Sequence, residues 1–280
     1  TIISESDIAI LDTEDMFTER DRDTEYDESE CTAISLSDEE TKCDSDGVKM
    51  DGQTVTITEG GTYLLTGSLS NGSVVVDTDK TEKVQLILEN VSIINEEGAG
   101  ICVEQADKVF ITLADGSTNK IVSNSFTGNE DTNIDGAIFS REDLTLNGSG
   151  TLKITSAAHG IVSKDDLVLT GGVYQIQSEK QGLSGKESVR IADGTFTITS
   201  GTDAIHSEDT DEDTKGFVYI TGGVLTLAAG GDGISSSYVV QADGGSFDIS
   251  TSSTETDTST KGIKAQKYVI LKDGTYQLAT

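Results

Sequence analysis

From Val48 onward, short apolar and β-branched runs alternate with clusters of Gly, Asp, Asn and Ser. Residues 55–57, 63–65, 74–76, 84–88 and 109–113 read as strands, because β-branched side chains suit a pleated surface and the clusters between them suit turns. No apolar period near 3.6 stands out, so no amphipathic helix is predicted.

The strands recur. The segments TLKI (151–154), VYQI (173–176), TFTI (195–198), VLTL (224–227), SFDI (246–249) and TYQL (275–278) fall into register at spacings of 22, 22, 29, 22 and 29 residues. Gly150, Gly172, Gly194, Gly223, Gly245 and Gly274 precede them, as a turn with positive φ or a close backbone approach requires. A second ladder runs through Ile138, Ile161, Leu183, Ile205, Ile234 and Ile263, and a third strand lies between the two. Three short strands and three turns in each repeat of about 22 residues predict an all-β fold, a single parallel β-helix. Coils then stack at the ordinary strand spacing of ~4.8 Å. Leu152, Tyr174, Phe196, Leu225, Phe247 and Tyr276 form one internal stack, and Ile154, Ile176, Ile198, Leu227, Ile249 and Leu278 form its neighbour. Phe139 and Tyr219 are also expected inside. The two longer spacings place insertions within 208–216 and 250–261, and a further excursion lies at about 123–134.

Residues 1–46 break the pattern. They are polar and acidic, the stretch ERDRDTEYDESE (19–30) has no apolar period, and only Ile8, Ile10 and Leu11 offer an apolar patch. The expected organisation is an acidic N-terminal tether or solenoid cap over 1–46 and a β-helix domain over 47–280.

Composition sharpens this picture. With 30 glycines and no proline in 280 residues, the chain suits tight turns between hydrogen-bonded strands, where proline would remove ladder donors. The net charge of −31 disfavours nucleic acid and anionic membranes and favours cations. Cys102 alternates with Ile101 and Val103 and reads as a buried thiol. Cys31 and Cys43 lie in the acidic segment and are able to pair in an oxidising compartment. Two histidines, His159 and His206, are too few to build a zinc site alone. Neither a signal peptide nor a membrane span is present, and a first residue other than Met suggests processing upstream of Thr1.

Three constellations carry candidate chemistry. The insertion HSEDTDEDTKG (206–216) holds Glu208, Asp209, Asp211, Glu212 and Asp213, a spacing of carboxylates that suits calcium, or else a solvated acidic bulge. Asp135, Asp203 and Asp232 stand directly before Gly, Ala and Gly, read in one register. This is ordinary turn chemistry, yet like charges on adjacent coils repel and a shared cation would relieve them. Arg141, Lys164 and Lys186 form a basic column beside an acidic column of Glu142, Asp165 and Glu187. The pairing is either mutual neutralisation or a groove that meets a charged polymer once per coil. There is no Trp, and aromatics make up 5% of the chain, so a flat aromatic platform for crystalline sugar faces is poorly supported. No nucleophile set, P-loop or dinucleotide fingerprint is found.

The phrases DGAIFSREDLTLNGSGTLKITS, HGIVSKDDLVLTGGVYQI, QGLSGKESVRIADGTFTI and DAIHSEDTDEDTKGFVYITGGVLTLAAGGDGI resemble a bacterial family of carbohydrate-binding domain proteins from plant-fibre-degrading anaerobes. The resemblance runs from about Val48 to Thr280. It implies a right-handed parallel β-helix similar to pectate lyases, in a secreted or lipid-anchored protein that binds calcium and acidic plant polysaccharide, notably polygalacturonate, with cellulose as a further ligand. It places calcium on Asp203, the acids of 208–213 and Asp232. HGIVS and QGLSG lack the Asp and DAIHS carries Ala204 for glycine, which weakens the match at those coils. The expected function is therefore extracellular, non-catalytic binding of acidic polysaccharide with calcium as the bridge. A calcium-dependent polysaccharide lyase using Arg141, Lys164 or Lys186 is the alternative, and a structural adhesin is the third.

Overall fold

The computed structural model describes residues 11–127, 133–252 and 259–280. Ile8 and Ile10, with parts of the 123–134 and 250–261 excursions, lie outside them.

The chain winds into a parallel β-solenoid whose three faces are called here sheets A, B and C. Each repeat contributes one strand to each sheet, as in Gly136–Ser140 (sheet B), Asp143–Gly148 (sheet A) and Thr151–Ser156 (sheet C). Pairing is parallel throughout, apart from the hairpin of Val48–Asp51 with Thr54–Ile57 near the N-terminal end and one isolated bridge, Ser35 to Lys42. Sheets A and C share the long strand Gly61–Leu69, which turns the corner between them.

The ladders stack as their spacing predicts. In sheet C, Leu152 pairs with Tyr174, then Phe196, Leu225, Phe247 and Tyr276 in turn. The rings of Tyr174 and Phe196 lie 4.8 Å apart and 5° from parallel, and those of Phe247 and Tyr276 lie 4.7 Å apart at 7°. Stacked aromatic pairs favour centroid separations of about 4.5–7 Å, so the backbone ladder and the ring contact support the same geometry. One continuous core cluster runs from Ile34 to Ile249. On the last coil Leu278 is 48% exposed, since its strand pairs only with Ser246–Thr251.

The recurrent glycines before the sheet C strands do adopt positive φ, for example Gly194 at +128°. A Cβ there would meet the carbonyl of Gly172 at 3.1 Å and the Phe196 ring at 3.0 Å. In the first regular coil the left-handed position is Gly148, at +95°, rather than Gly150.

Two aromatic residues differ from expectation. Phe139 and Tyr219 point outward, Phe139 in the column Cys102–Phe139–Val162 of sheet B and Tyr219 in the column Arg190–Tyr219–Gln241 of sheet A. Both are buried because something covers them from outside. Phe139 lies under Arg141 and Lys164, whose cationic groups sit 5.4 and 5.3 Å from its ring centre.

Tyr219 lies under the N-terminal segment. Residues 11–23 run lengthwise across the outside of sheet A as a strap, and Thr32–Leu36 then pairs with Gly61–Leu69 to begin the solenoid. Leu11, Met16 and Phe17 pack on Tyr219 and Val239, while Arg20 sits 4.5 Å over Phe110 and donates to Gln85. The helix Glu19–Arg22, a single turn, is held by a capping box between Thr18 and Asp21. Asp21 is the anchor. It is 1% exposed, pairs with Lys108 at 2.8 Å and accepts from Thr145 at 2.8 Å. Its backbone carbonyl accepts from Asn147 and Thr170. Burial alone would raise its pKa, but the bonds from Lys108, Thr145 and Thr18 hold it down at about 2.

All three cysteines are free thiols: Cys102 is buried, and Cys31 and Cys43 are half-buried and unpaired. Cys31 Sγ donates instead to the carbonyl of Asp27.

Candidate functional site

The turns on either side of sheet B rise above its outer face and make a groove of about 470 Å³. Its floor is the outward column Val162–Ser184–His206, one residue from each of three successive coils. One wall is Asp135, His159 and Gln181; the other is Lys164, Lys186, Glu208 and Thr210. The structure thus brings together four of the residues singled out from sequence: Lys164, Lys186, Asp135 and Glu208.

The third base of the basic column, Arg141, lies outside the lining and pairs with Glu104 at 2.6 Å. Asp135 is out of register with Asp203 and Asp232. Gly136, not Asp135, is opposite His159, because Ala137 adds a residue before Ile138. Its carboxylate still lies 3.5 Å from His159 Nε2 and 3.6 Å from Lys164 Nζ.

The insertion after His206 is a folded wall rather than a loose bulge. Asp209 accepts from the backbone N–H groups of Asp211 and Glu212 at 2.7 and 3.0 Å, and its own N–H donates to Ser237. Burial would raise its pKa, but those backbone bonds, with Lys186 and Lys215 nearby, bring it below the usual value. Lys186 donates to Asp211 at 2.7 Å, and Lys215 bridges Glu187 and Glu212. Asp213 is exposed on its outer side.

Asp203 and Asp232 are each held by protein donors. The N–H of Asp232 donates to Asp203 at 2.7 Å, and Asp203 also pairs with His206 Nδ1 at 2.9 Å. Burial would raise the pKa of Asp203, but the bonds from His206 and Asp232 bring it below the usual value. Asp232 in turn accepts from Lys261 N–H and from Lys264 Nζ at 2.8 Å.

These partners decide how the donor set fits calcium, which needs six to eight oxygens. Among the described residues, no three of His, Cys, Asp and Glu come together as a metal-ligand group. Asp203, Asp209, Asp211, Glu212 and Asp232 are turned toward protein cations and N–H groups instead. They do not form a calcium cage by themselves.

The histidines are what sequence reasoning passed over, having weighed them only as zinc ligands. His159 Nδ1 accepts the Gln181 N–H at 3.2 Å, so the neutral ring carries its proton on Nε2, facing Asp135. Burial lowers its pKa to about 4 despite the attraction of Asp135. His206 has Nδ1 on Asp203 and Nε2 3.5 Å from Glu208. One signal was available: His159 and Gln181 occupy the turn position held by Asp203 and Asp232 in later coils.

The groove therefore presents ammonium, imidazole, amide and hydroxyl groups beside the carboxylates of Asp135 and Glu208, without a Phe, Tyr or Trp side chain in its lining. Such a surface suits hydroxyls and carboxylates arranged along an extended polymer.

A family model described as "carbohydrate-binding domain-containing protein" matches residues 51–280. A curated relative of the same description from Acetivibrio thermocellus is 34% identical over 137 residues, which is 48% of this chain and 48% of the relative. The match thus spans about half of that relative's length. A solved structure described as the polysaccharide lyase-like protein from C. thermocellum, gadolinium derivative, superposes with a TM-score of 0.77 at 31% identity. It covers 88% of this chain and 100% of the other.

Proposed function

The chain belongs to the carbohydrate-binding domain-containing protein family, and on that premise we propose that it binds an acidic polysaccharide, of the polygalacturonate type, along the sheet B groove. The observation that carries this is the alignment of Lys164 and Lys186 on successive coils, in a polar groove that runs with the helix axis. Polymer carboxylates would compete for these ammonium groups, while Gln181, Ser184 and His206 offer hydrogen bonds to hydroxyls. A plant cell-wall ligand of this kind is met outside the cell, so the reading carries an extracellular or cell-surface location with it. Cellulose, being uncharged, has less to gain from the two lysines.

Calcium enters the proposal only as an ion shared between polymer and protein, since Asp203, Asp209 and Asp232 already accept from protein donors. Its support is charge: a chain of −31 and a polyanion repel until cations intervene. The test is electrophoresis through gels containing polygalacturonate, with calcium and then with excess chelator. Retardation that weakens in chelator is expected. Full retardation in chelator removes calcium from the account, and none in either gel overturns acidic-polysaccharide binding.

A lyase has one observation in its favour. Asp203 orients His206 through Nδ1, and Nε2 lies in the groove, an arrangement able to take a proton from a bound sugar. The lysines are poorer bases, because the bond from Lys186 to Asp211 raises the pKa of Lys186 and keeps it cationic. Unsaturated product absorbance that disappears in His206→Gln would establish the lyase; none in the wild type leaves a binding protein.

A further inference from the structure

We propose that the outer face of sheet C is a second site for carboxylate-bearing polysaccharide, so that one protein molecule bridges two polymer chains. The inference rests on the ligand class proposed above but on a different side of the molecule.

Faces of parallel sheets are normally covered. Sheet A is covered by the strap, and sheet B is walled by turns. In sheet C the strands Thr195–Ser200, Val224–Ala229 and Ser246–Thr251 alternate strictly between buried and exposed, and nothing described lies over the exposed set. The face holds a trough of about 350 Å³.

Its central column reads Lys120, Lys153, Gln175, Thr197, Thr226 and Asp248, one residue per coil. Lys120 and Lys153 are register neighbours, ~4.8 Å apart by strand spacing. Both are exposed, and neither holds an ion pair among the described residues. Like charges stacked in this way destabilise each other. In a protein of −31 they form a local positive spot that attracts anions. Uncharged donors follow on the next coils, with Gln177 and Thr199 alongside. Asp248 closes the column with a repulsive charge. A polyanion lying along the axis therefore meets two cations and then amide and hydroxyl groups over the coils from Lys120 to Thr197. No aromatic side chain lines the trough, which disfavours single-stranded nucleic acid, whose bases need stacking platforms.

The experiment is calorimetric titration of the full chain with a short oligogalacturonate in calcium, beside turbidity with the long polymer. Wild type is expected to take two oligomers per chain and to turn the long polymer turbid. Lys120→Gln/Lys153→Gln is expected to take one and to leave the solution clear, and Lys164→Gln/Lys186→Gln likewise. Both lysines of the sheet C pair are exposed, so an unchanged Tm checks that the first variant is folded. A wild-type stoichiometry of one that only the sheet B variant abolishes overturns the second site and leaves the first standing. Unchanged stoichiometry and turbidity in Lys120→Gln/Lys153→Gln also overturns it. No binding by wild type overturns both.

Discussion

His159 and Asp165 titrate against each other in sign. The folded pKa of His159 is lowered from 6.5 to about 4 by burial, so between those values the unfolded chain binds more protons and stability rises with pH. Asp165 is raised from 3.8 to about 6 by burial and by its neighbours Asp143 and Glu187, so across that window the folded chain binds more protons and stability falls as pH rises. The two effects offset each other in the wild type. His159→Gln should leave a stability that declines from pH 4 to pH 6, and Asp165→Asn one that increases from pH 4 to pH 6.5. Urea unfolding midpoints at pH 4.5 and 6.5 measure this. Identical pH dependence in both variants would contradict the assignment. None of this was legible in the sequence, because both shifts come from burial and neighbouring charges outside the solenoid core, and a residue's periodic position reveals only whether it faces that core.

At the scale of elements, the strap is the part that sequence pattern missed. Residues 11–23 have no apolar period because they contact a sheet through isolated anchors, Phe17, Arg20 and Asp21, rather than through a continuous face. Their partners lie far along the chain, at Tyr219 and Val239 and at Arg190, which donates to the Met16 carbonyl. The sheet strands were legible because equivalent residues recur at fixed spacing. Even so, Phe139 and Tyr219 were placed inward: in GAIFS and FVYI the neighbouring positions are also apolar, so alternation does not tell one face from the other. The strap makes its own prediction. Asp21 is held near 2 against an ordinary 3.8, so its contribution, about 2 kcal/mol, is present above pH 4 and is lost as pH falls toward 2. Asp21→Ala leaves the half-buried Lys108 without its partner and should cost about 3 kcal/mol at pH 6. Denaturant unfolding at pH 6 and pH 2.5 checks both points, and a loss under about 0.5 kcal/mol at pH 6 would show that the strap does not depend on this anchor.

Over the whole molecule, the solenoid turns one-dimensional repetition into surfaces of different character. Sheet A is sealed, sheet B carries a groove with paired charges, and sheet C is open and carries an unpaired basic step. The basic column and part of the acidic set were legible because stacking puts residues at equal spacing side by side. Their partners were not: which acids meet calcium, a lysine or an N–H depends on how each turn folds, and here Asp203, Asp209 and Asp232 all found protein donors. On the proposed function, Lys164 and Lys186 hold an acidic polymer in the sheet B groove. Its most direct test is affinity electrophoresis of wild type beside Lys164→Gln/Lys186→Gln through polygalacturonate with calcium. The double variant is expected to be retarded clearly less than wild type while migrating alike in a polymer-free gel corrected for charge. Equal retardation of the two proteins by the polymer would contradict it.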